Sequence, residues 1–250
     1  MPHSKESAET SDIELSVVVL CYQSEGFARV FCNQLIGELD SMMINYEIIL
    51  VANFDSEQDK TPNITRELAK ENNSVRVISM PKSGKMGWDM KMGLESAVGK
   101  YIAVIDGDGQ MPCSDIPIVY KIMQTGDFDL VKTSRAIRYD SIYRSILSWT
   151  YNFIFNLLFR PKVYFKDVNS KPKIISKECY KKLHLESNDW FTDAEIMIQA
   201  IDLRLKICEI STVFYPNERR SSFVNMRTVI EFITNLIRYR FFRSQGNRPA

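Results

Sequence analysis

The sequence predicts an α/β domain with a mostly parallel central sheet flanked by helices. Three observations predict it. Short apolar runs of strand length recur through the first half, segments of helical period separate them, and the residues suited to chemistry follow those runs directly. Ligands of parallel α/β sheets bind beyond the carboxyl ends of the strands, so the third observation supports the other two.

Leu15–Leu20 (LSVVVL) and Tyr46–Val51 (YEIILV) are nearly continuous apolar runs, as in strands buried on both faces. Between them Phe27, Val30, Phe31, Leu35 and Leu39 recur with a helical period. Thr61-Pro62 opens a second helix, because proline suits the first helical turn. Residues 75–79 predict a third strand, 85–98 a third helix, 101–105 a fourth strand and 128–133 a fifth. The second half is less regular. It predicts an aromatic-rich helix at 139–159, a loop running into a short strand at 167–173, a helix at 191–201 and a strand at 206–215. An apolar helix with arginines near its end follows at 227–243. No repeat or low-complexity linker divides the chain. We expect a flexible polar tail at 1–14, one domain at 15–224, and a C-terminal amphipathic helix and tail at 225–250.

The chain has 250 residues, is 45% hydrophobic and carries a formal charge of +1, which suits one sizeable core and excludes a nucleic-acid binder driven by bulk charge. Five cysteines without a C-x-x-C pair argue against a disulfide framework or structural zinc and favour reducing cytosol. No secretory signal is expected from the polar first residues. No run reaches the roughly 18 apolar residues of a spanning helix. The longest, at 145–159, is interrupted by Ser148, Thr150, Asn152 and Asn156. A location in the cytoplasm, with peripheral contact at the membrane's cytoplasmic face, is the expectation.

Asp106-Gly107-Asp108-Gly109-Gln110 follows the fourth strand. Two carboxylates flanking one small residue can share a hard cation, and that ion can neutralise a departing diphosphate. The same letters also make a common Asp-Gly turn. An EF-hand loop fits poorly, because Met111 stands at its glycine position and Pro117 at its terminal glutamate. No G-x-G-x-x-G follows the first strand, which argues against a dehydrogenase.

These residues carry a resemblance. SVVVLCYQSEG, YEIILV, SGKMGWDMKMGLESAVGKYIAVIDGDGQ, FDLVKTSRAIRYDSIYRSILSWTYN, KDVNSKPKII and WFTDAEIMIQA resemble, in order and spacing, the segments of glycosyltransferase family 2. The similarity is greatest to its polyprenyl-phosphate sugar transferases, of the dolichol-phosphate mannose synthase type. It implies a GT-A-like fold and inverting transfer from a nucleoside diphosphate sugar to a polyprenyl phosphate such as dolichyl or undecaprenyl phosphate. It also implies roles for individual residues. Asp106, Asp108 and Gln110 match the positions for metal (manganese or magnesium) and diphosphate, with Gly107 between them. Cys21, Tyr22 and Asn53 fall where the family holds base and ribose, of a UDP- or GDP-sugar, and Ser24 is a further substrate-binding candidate. Lys85 matches a lysine near the nucleotide. Arg135, Arg144 and Ser148 match positions for an acceptor phosphate, Lys173 stands in the acceptor loop, and Asp193 and Glu195 match the acidic pair beside the acceptor.

The chain also departs from the family. Leu20-Cys21-Tyr22-Gln23-Ser24 replaces Pro-x-Tyr-Asn-Glu, Ala52-Asn53 replaces Asp-Asp, and Lys171-Pro172-Lys173 replaces Gly-Phe-Arg. Charge persists in the last case, but a lysine lacks the two-pronged geometry of arginine. Bland readings stand beside the functional ones. Lys85, Arg135 and Arg144 suit solvated surfaces, Asp193 suits a helix cap, and the aromatic residues of 139–159 are expected in the core. With a glycan hydroxyl as acceptor, Asp193 or Glu195 would serve as base, as in surface polysaccharide synthesis. A degenerate sugar-nucleotide binder and a nucleotidyltransferase are the other readings. The latter lacks its glycine-rich basic loop in CYQSEGF.

Overall fold

A computed structural model of the chain describes residues 13–139, 142–217 and 226–242. Most of the expected N-terminal tail, and the end of the chain from 243, lie outside the described residues. Strands β1 (Leu15–Leu20), β2 (Tyr46–Val51), β3 (Val75–Ile78) and β4 (Tyr101–Asp106) alternate with helices α1 (Gly26–Asp40), α2 (Thr61–Glu71) and α3 (Met86–Ser96). There follow α4 (Asp115–Gln124), β5 (Leu130–Arg138), α5 (Ile142–Phe159), β6 (Lys173–Ser176), α6 (Lys177–Tyr180), α7 (Thr192–Asp202), β7 (Ile207–Phe214) and α8 (Met226–Phe242).

The strands form one seven-stranded sheet in the order β3-β2-β1-β4-β6-β5-β7. All pairings are parallel except those of β6, which runs against both β4 and β5. Every residue of β1 is buried, because the strand has a neighbour on each side and helices on both faces. Its side chains alternate between two cores. Val18 and Leu20 pack with α3, α5 and α7 residues such as Met90, Phe155 and Met197, whereas Val17 and Val19 pack with Phe31, Leu35 and Ile116 of α1 and α4.

From β1 the chain builds outward to β2 and β3, then returns to the opposite side of β1 for β4. The crevice between β1 and β4 is therefore the topological switch point, where ligands of such sheets bind. Leu20 pairs with Val51 on one side and Asp106 on the other, so Cys21, Ala52 and Gly107 emerge in one row at the carboxyl edge.

Several elements differ from expectation. β5 continues five residues past 133, to Arg138, because its polar second half pairs with β7 despite lacking an apolar run. Helices α4 and α6 were not expected. Of the helix expected at 139–159, Ile142–Phe159 is helical among the described residues and only partly core: Tyr151 and Phe155 are buried, while Tyr143, Ile146, Trp149, Phe153 and Leu157 are exposed along its outer side. That stripe is accommodated because only one side of α5 faces the core.

The polar residues that interrupt α5 have a definite task. Asn156 Nδ2 donates to the carbonyls of Asn152 (2.7 Å) and Phe165 (2.9 Å), and its Oδ1 accepts from the Phe165 amide (2.9 Å). Asn152 Oδ1 accepts from the Val168 amide at 2.9 Å. These buried amides pin the loop that carries Asp167 and Lys171 to the helix. Asn156→Leu keeps the size but leaves the Phe165 backbone groups unpaired. Urea denaturation is expected to show a loss of about 1–3 kcal/mol, and an unchanged midpoint would remove this role.

Candidate active site

The carboxyl ends of β1, β2, β4, β5 and β7 and the start of β6 surround a cleft of about 730 Å³. Of the residues singled out from sequence, Tyr22, Lys85, Asp106, Asp108, Gln110, Arg135, Arg144, Ser148 and Asp193 line it. Cys21, Ser24, Asn53, Gly107, Lys173 and Glu195 are not in its lining.

The Asp106–Gln110 turn is held by close packing. A Cβ on Gly107 would come within 2.9 Å of Val19 Cγ1 and 3.2 Å of the Leu20 carbonyl, so only glycine lets the turn lie on the end of β1. Gly109 has φ +74°, and a Cβ there would stand 2.7 Å from the Phe27 ring. Asp108 Oδ1 accepts the Gln110 amide at 3.1 Å. Gln110 is stitched to the end of β7, donating through Nε2 to the Tyr215 carbonyl (3.1 Å) and accepting the Tyr215 amide on its own carbonyl (2.8 Å). Among the described residues no cluster of three or more Asp, Glu, His or Cys side chains suits a metal. Two carboxylates on one turn of an open cleft fit a hard cation that takes its remaining oxygens from a diphosphate and water, and do not make a closed protein cage.

On the other side of Asp106 stands a buried charge network. Lys171 Nζ lies 3.3 Å from Asp106 Oδ1 and 2.9 Å from Asp193 Oδ2, and Lys173 Nζ lies 2.5 Å from Asp193 Oδ1. The Lys171, Lys173 and Asp193 side chains are at most 4% exposed. Burial alone would raise the Asp193 carboxyl, but the two ammonium groups hold it below the ordinary carboxylate range. Burial draws Lys173 down to about 8, Asp193 offsetting only part of the shift. For Lys171 the two carboxylates outweigh burial and raise the ammonium above its usual value.

This geometry corrects four expectations. Asp193 makes no capping bond at the start of α7, because its carboxylate turns to the lysines. Between two ammonium groups it is also a poor proton acceptor. Glu195 is 1% exposed and points away from the cleft, where it accepts the backbone amides of Glu186 (3.1 Å) and Ser187 (2.9 Å). Lys173 reaches Asp193 and the Ser170 carbonyl (2.8 Å), whereas Lys171, which the sequence left without a role, lines the cleft.

The β1 and β2 edges bring a second cluster together. Asn53, expected to meet the base, is 1% exposed and fully engaged: Nδ2 donates to Asp89 (2.8 Å) and Oδ1 accepts the Met80 amide (3.0 Å). Its place in the lining is taken by Asp55, which accepts the Tyr22 hydroxyl at 2.5 Å. Lys82 pairs with Asp89 and stands 4.1 Å from the centre of the Tyr22 ring. Cys21 is buried, its thiol pointing at the Val19 carbonyl (3.6 Å) and raised by burial. Ser24 faces a neighbouring hollow that shares Asp108 with the main cleft.

The third wall is basic. Arg135 forks onto Asp167, with Nε at 2.5 Å from Oδ2 and an NH2 nitrogen at 2.8 Å from Oδ1, and lies over the Phe214 ring at 5.1 Å. Its guanidinium is therefore committed to a carboxylate, a partner absent from the sequence reading. Arg144 and Ser148, one turn apart on α5, face the cleft, and Ser148 Oγ accepts the Asn152 amide at 3.4 Å. Lys85 lies at the rim, 2.7 Å from Glu231 of α8.

Burial acts to raise the Asp167 carboxyl, but Arg135 and then Lys132 hold it well below the usual range. A depressed carboxyl adds stability that is present above the unfolded value near 3.9 and lost as pH falls through the folded one. Asp167→Asn removes a charge partner of the largely buried Arg135, at a cost of about 3–5 kcal/mol. Urea denaturation is expected to show that deficit undiminished from pH 8 to 5 and shrinking below about pH 4. A deficit independent of pH down to 2 would contradict the pairing.

Comparisons with known proteins bear on this site. The sequence pattern of the family described as Glycosyl transferase family 2 matches residues 16–187. A dodecaprenyl-phosphate galacturonate synthase of Rhizobium johnstonii is 23% identical over 240 residues, covering 95% of this chain and 70% of that protein. A dolichyl-phosphate beta-glucosyltransferase of Trichomonas vaginalis is 23% identical over 250 residues, covering 95% and 76%. Among solved structures, glucosyl-3-phosphoglycerate synthase of Mycobacterium tuberculosis, in complex with Mn2+, UDP and glucosyl-3-phosphoglycerate, superposes with a TM-score of 0.68. It is 16% identical, with 91% of this chain and 80% of that one covered, a likeness of fold alone. With the GT-A architecture and a family match across most of the sheet and its carboxyl edge, this chain belongs to glycosyl transferase family 2.

Proposed function

We propose that this chain transfers a sugar from a nucleoside diphosphate sugar to a polyprenyl phosphate, with inversion at the anomeric carbon. The observation that carries the reading is one cleft with the Asp106–Asp108 turn on one wall and Arg144 and Ser148 on another. The named relatives act on dodecaprenyl and dolichyl phosphates, which supports the same acceptor class here.

In this reading Tyr22 and Asp55 meet the nucleoside, of uridine or guanosine type, and Asp106, Asp108 and Gln110 face the diphosphate. Asp106 and Asp108 would hold a manganese or magnesium ion, which when bound would supply charge neutralisation for the departing diphosphate. Lys171 adds a fixed positive charge on the same side, 3.3 Å from Asp106. Arg144 and Ser148 hold the acceptor phosphate on the opposite face of the sugar. An acceptor phosphate oxygen forms the new bond to the anomeric carbon as the bond to the diphosphate oxygen breaks, and the electron pair leaves with the nucleoside diphosphate. The attacking oxygen is already ionised, so no general base is required. That agrees with Asp193, the carboxylate expected to act as base on a hydroxyl, being engaged by two ammonium groups.

A lipid acceptor also needs a surface. Ile146, Trp149, Phe153 and Leu157 form the exposed stripe of α5, beside the face that lines the cleft. Residues 142–166 contain no Asp or Glu and carry Arg144, Arg160, Lys162 and Lys166. Aromatic residues with basic neighbours suit the headgroup region of an anionic bilayer. On α8, Ile230, Ile237 and Phe241 are exposed as well. Among the described residues no helix is long and apolar enough to cross a membrane.

The test uses purified protein, radiolabelled UDP- and GDP-sugars, and vesicles containing polyprenyl phosphate and anionic lipid. Label is expected to pass to the lipid phosphate in the presence of manganese or magnesium. Asp108→Asn is expected to reduce this by about 100-fold or more with unchanged thermal stability. Label passing faster to a soluble sugar hydroxyl than to any lipid phosphate would instead support a polysaccharide-type transferase. Full activity of the variant, or of wild type with excess chelator, would remove the metal-centred donor site.

A further inference from the structure

The acceptor loop carries one polar group that the reading above does not use. Asn169 Oδ1 is buried without a hydrogen-bond partner among the described residues, although Asn169 lines the cleft. The amide end of the same side chain lies toward the Tyr151 hydroxyl. A buried carbonyl without a donor costs about 1–3 kcal/mol, so the group is suited to a ligand that supplies one.

Position restricts what that ligand is. Asn169 stands two residues before Lys171, which touches Asp106, and its neighbour in the cleft, Tyr151, is one turn along α5 from Ser148. It is bracketed by the diphosphate side and the acceptor-phosphate side. Chemistry restricts it further. A diphosphate and an acceptor phosphate are acceptors only at neutral pH and cannot satisfy a carbonyl, whereas a sugar hydroxyl donates. The nucleoside, whose N–H groups also donate, belongs with Tyr22 and Asp55 at the β1 and β2 edge. Trp190, partly buried, lines the same cleft, and an indole is a side chain suited to packing against a pyranose ring.

We infer that Asn169 is a specificity-determining residue that accepts a hydrogen bond from a hydroxyl of the transferred sugar. This deepens the proposed glycosyltransferase reading and rests on it. A site built to bond a substrate hydroxyl discriminates strongly against an analogue that lacks it, because its own buried polar group is then unpaired.

Calorimetry on wild type, Asn169→Leu and Asn169→Ala tests this, with manganese present. The ligands are UDP, GDP, UDP-glucose, UDP-galactose, UDP-glucuronate and GDP-mannose, followed by deoxy analogues of the tightest sugar nucleotide. Both variants are expected to bind the nucleoside diphosphate as wild type does and the sugar nucleotide about tenfold or more weakly. One deoxy analogue is expected to lose about tenfold in wild type and nothing further in either variant, a coupling that a merely structural asparagine does not produce. Alanine carries the test if the leucine variant fails to fold. Unchanged sugar-nucleotide affinity, or equal weakening of the nucleoside diphosphate and its sugar, would overturn the inference while leaving the donor site standing. Wild type that binds neither nucleotide would overturn the transferase reading itself, and this inference with it.

Discussion

The site depends on a buried ionic contact, the Asp193 carboxylate held between Lys171 and Lys173. Such a group is costly to bury, and the cost is met only while every partner is in place. Three separate elements supply the partners: Asp193 opens α7, Lys173 begins β6, and Lys171 precedes it while also touching Asp106 at the end of β4. Moving any one of them leaves a charge uncompensated. The network thus ties the loop before β6 to the Asp106–Gln110 turn. A second buried network repeats the device further along the sheet. Lys132 is fully buried and bonds Glu209 at 2.8 Å as well as the Asp167 carbonyl, and Asp167 in turn holds Arg135. The first network ties the loop after α5 and the start of β6 to α7 and the end of β4, and the second ties β5 and β7 to the same loop.

The two halves of the cleft are consequently built by different means. The wall proposed for the donor is made of tight backbone turns on a parallel sheet, with glycine where β1 and the Phe27 ring leave no room for a side chain. The wall proposed for the acceptor is made of side-chain ionic and amide contacts around one antiparallel strand. Helix α5 joins them with three faces: Phe155 and Asn156 toward the core, Ser148 and Tyr151 toward the cleft, and Trp149 and Phe153 outward. Inverting transfer to a phosphate needs a polarised donor and an ionised acceptor, and it needs no free carboxylate between them.

This division explains what could be read in the sequence. Strands β1, β2 and β4 are buried on both faces, so they appear as nearly continuous apolar runs, and the Asp106–Gln110 turn is recognisable because its chemistry is local. The second half of β5 is polar, and only its pairing with β7 makes it a strand. Asn152 and Asn156 look like defects in an apolar helix until the loop they bind is in view. Asn53 reads as a ligand to the base, yet Asp89, 36 positions later, claims its amide. The partnership of Arg135 with Asp167 and the choice of Lys171 over Lys173 at the cleft are likewise long-range facts. Spacing carries no trace of them, because the contact is set by how β5, β6 and the acceptor loop meet.

The claim that one coupled network holds the site together is tested most directly by a double-mutant cycle on stability. Lys171→Met, Asp193→Asn and the combined variant would be unfolded in urea at pH 7. Each single change is expected to destabilise, and the pair to cost less than the sum by about 1.5–3 kcal/mol, since removing both partners leaves less uncompensated charge than removing one. Costs that add within about 0.5 kcal/mol would show that the two charges do not depend on each other, and would contradict that claim.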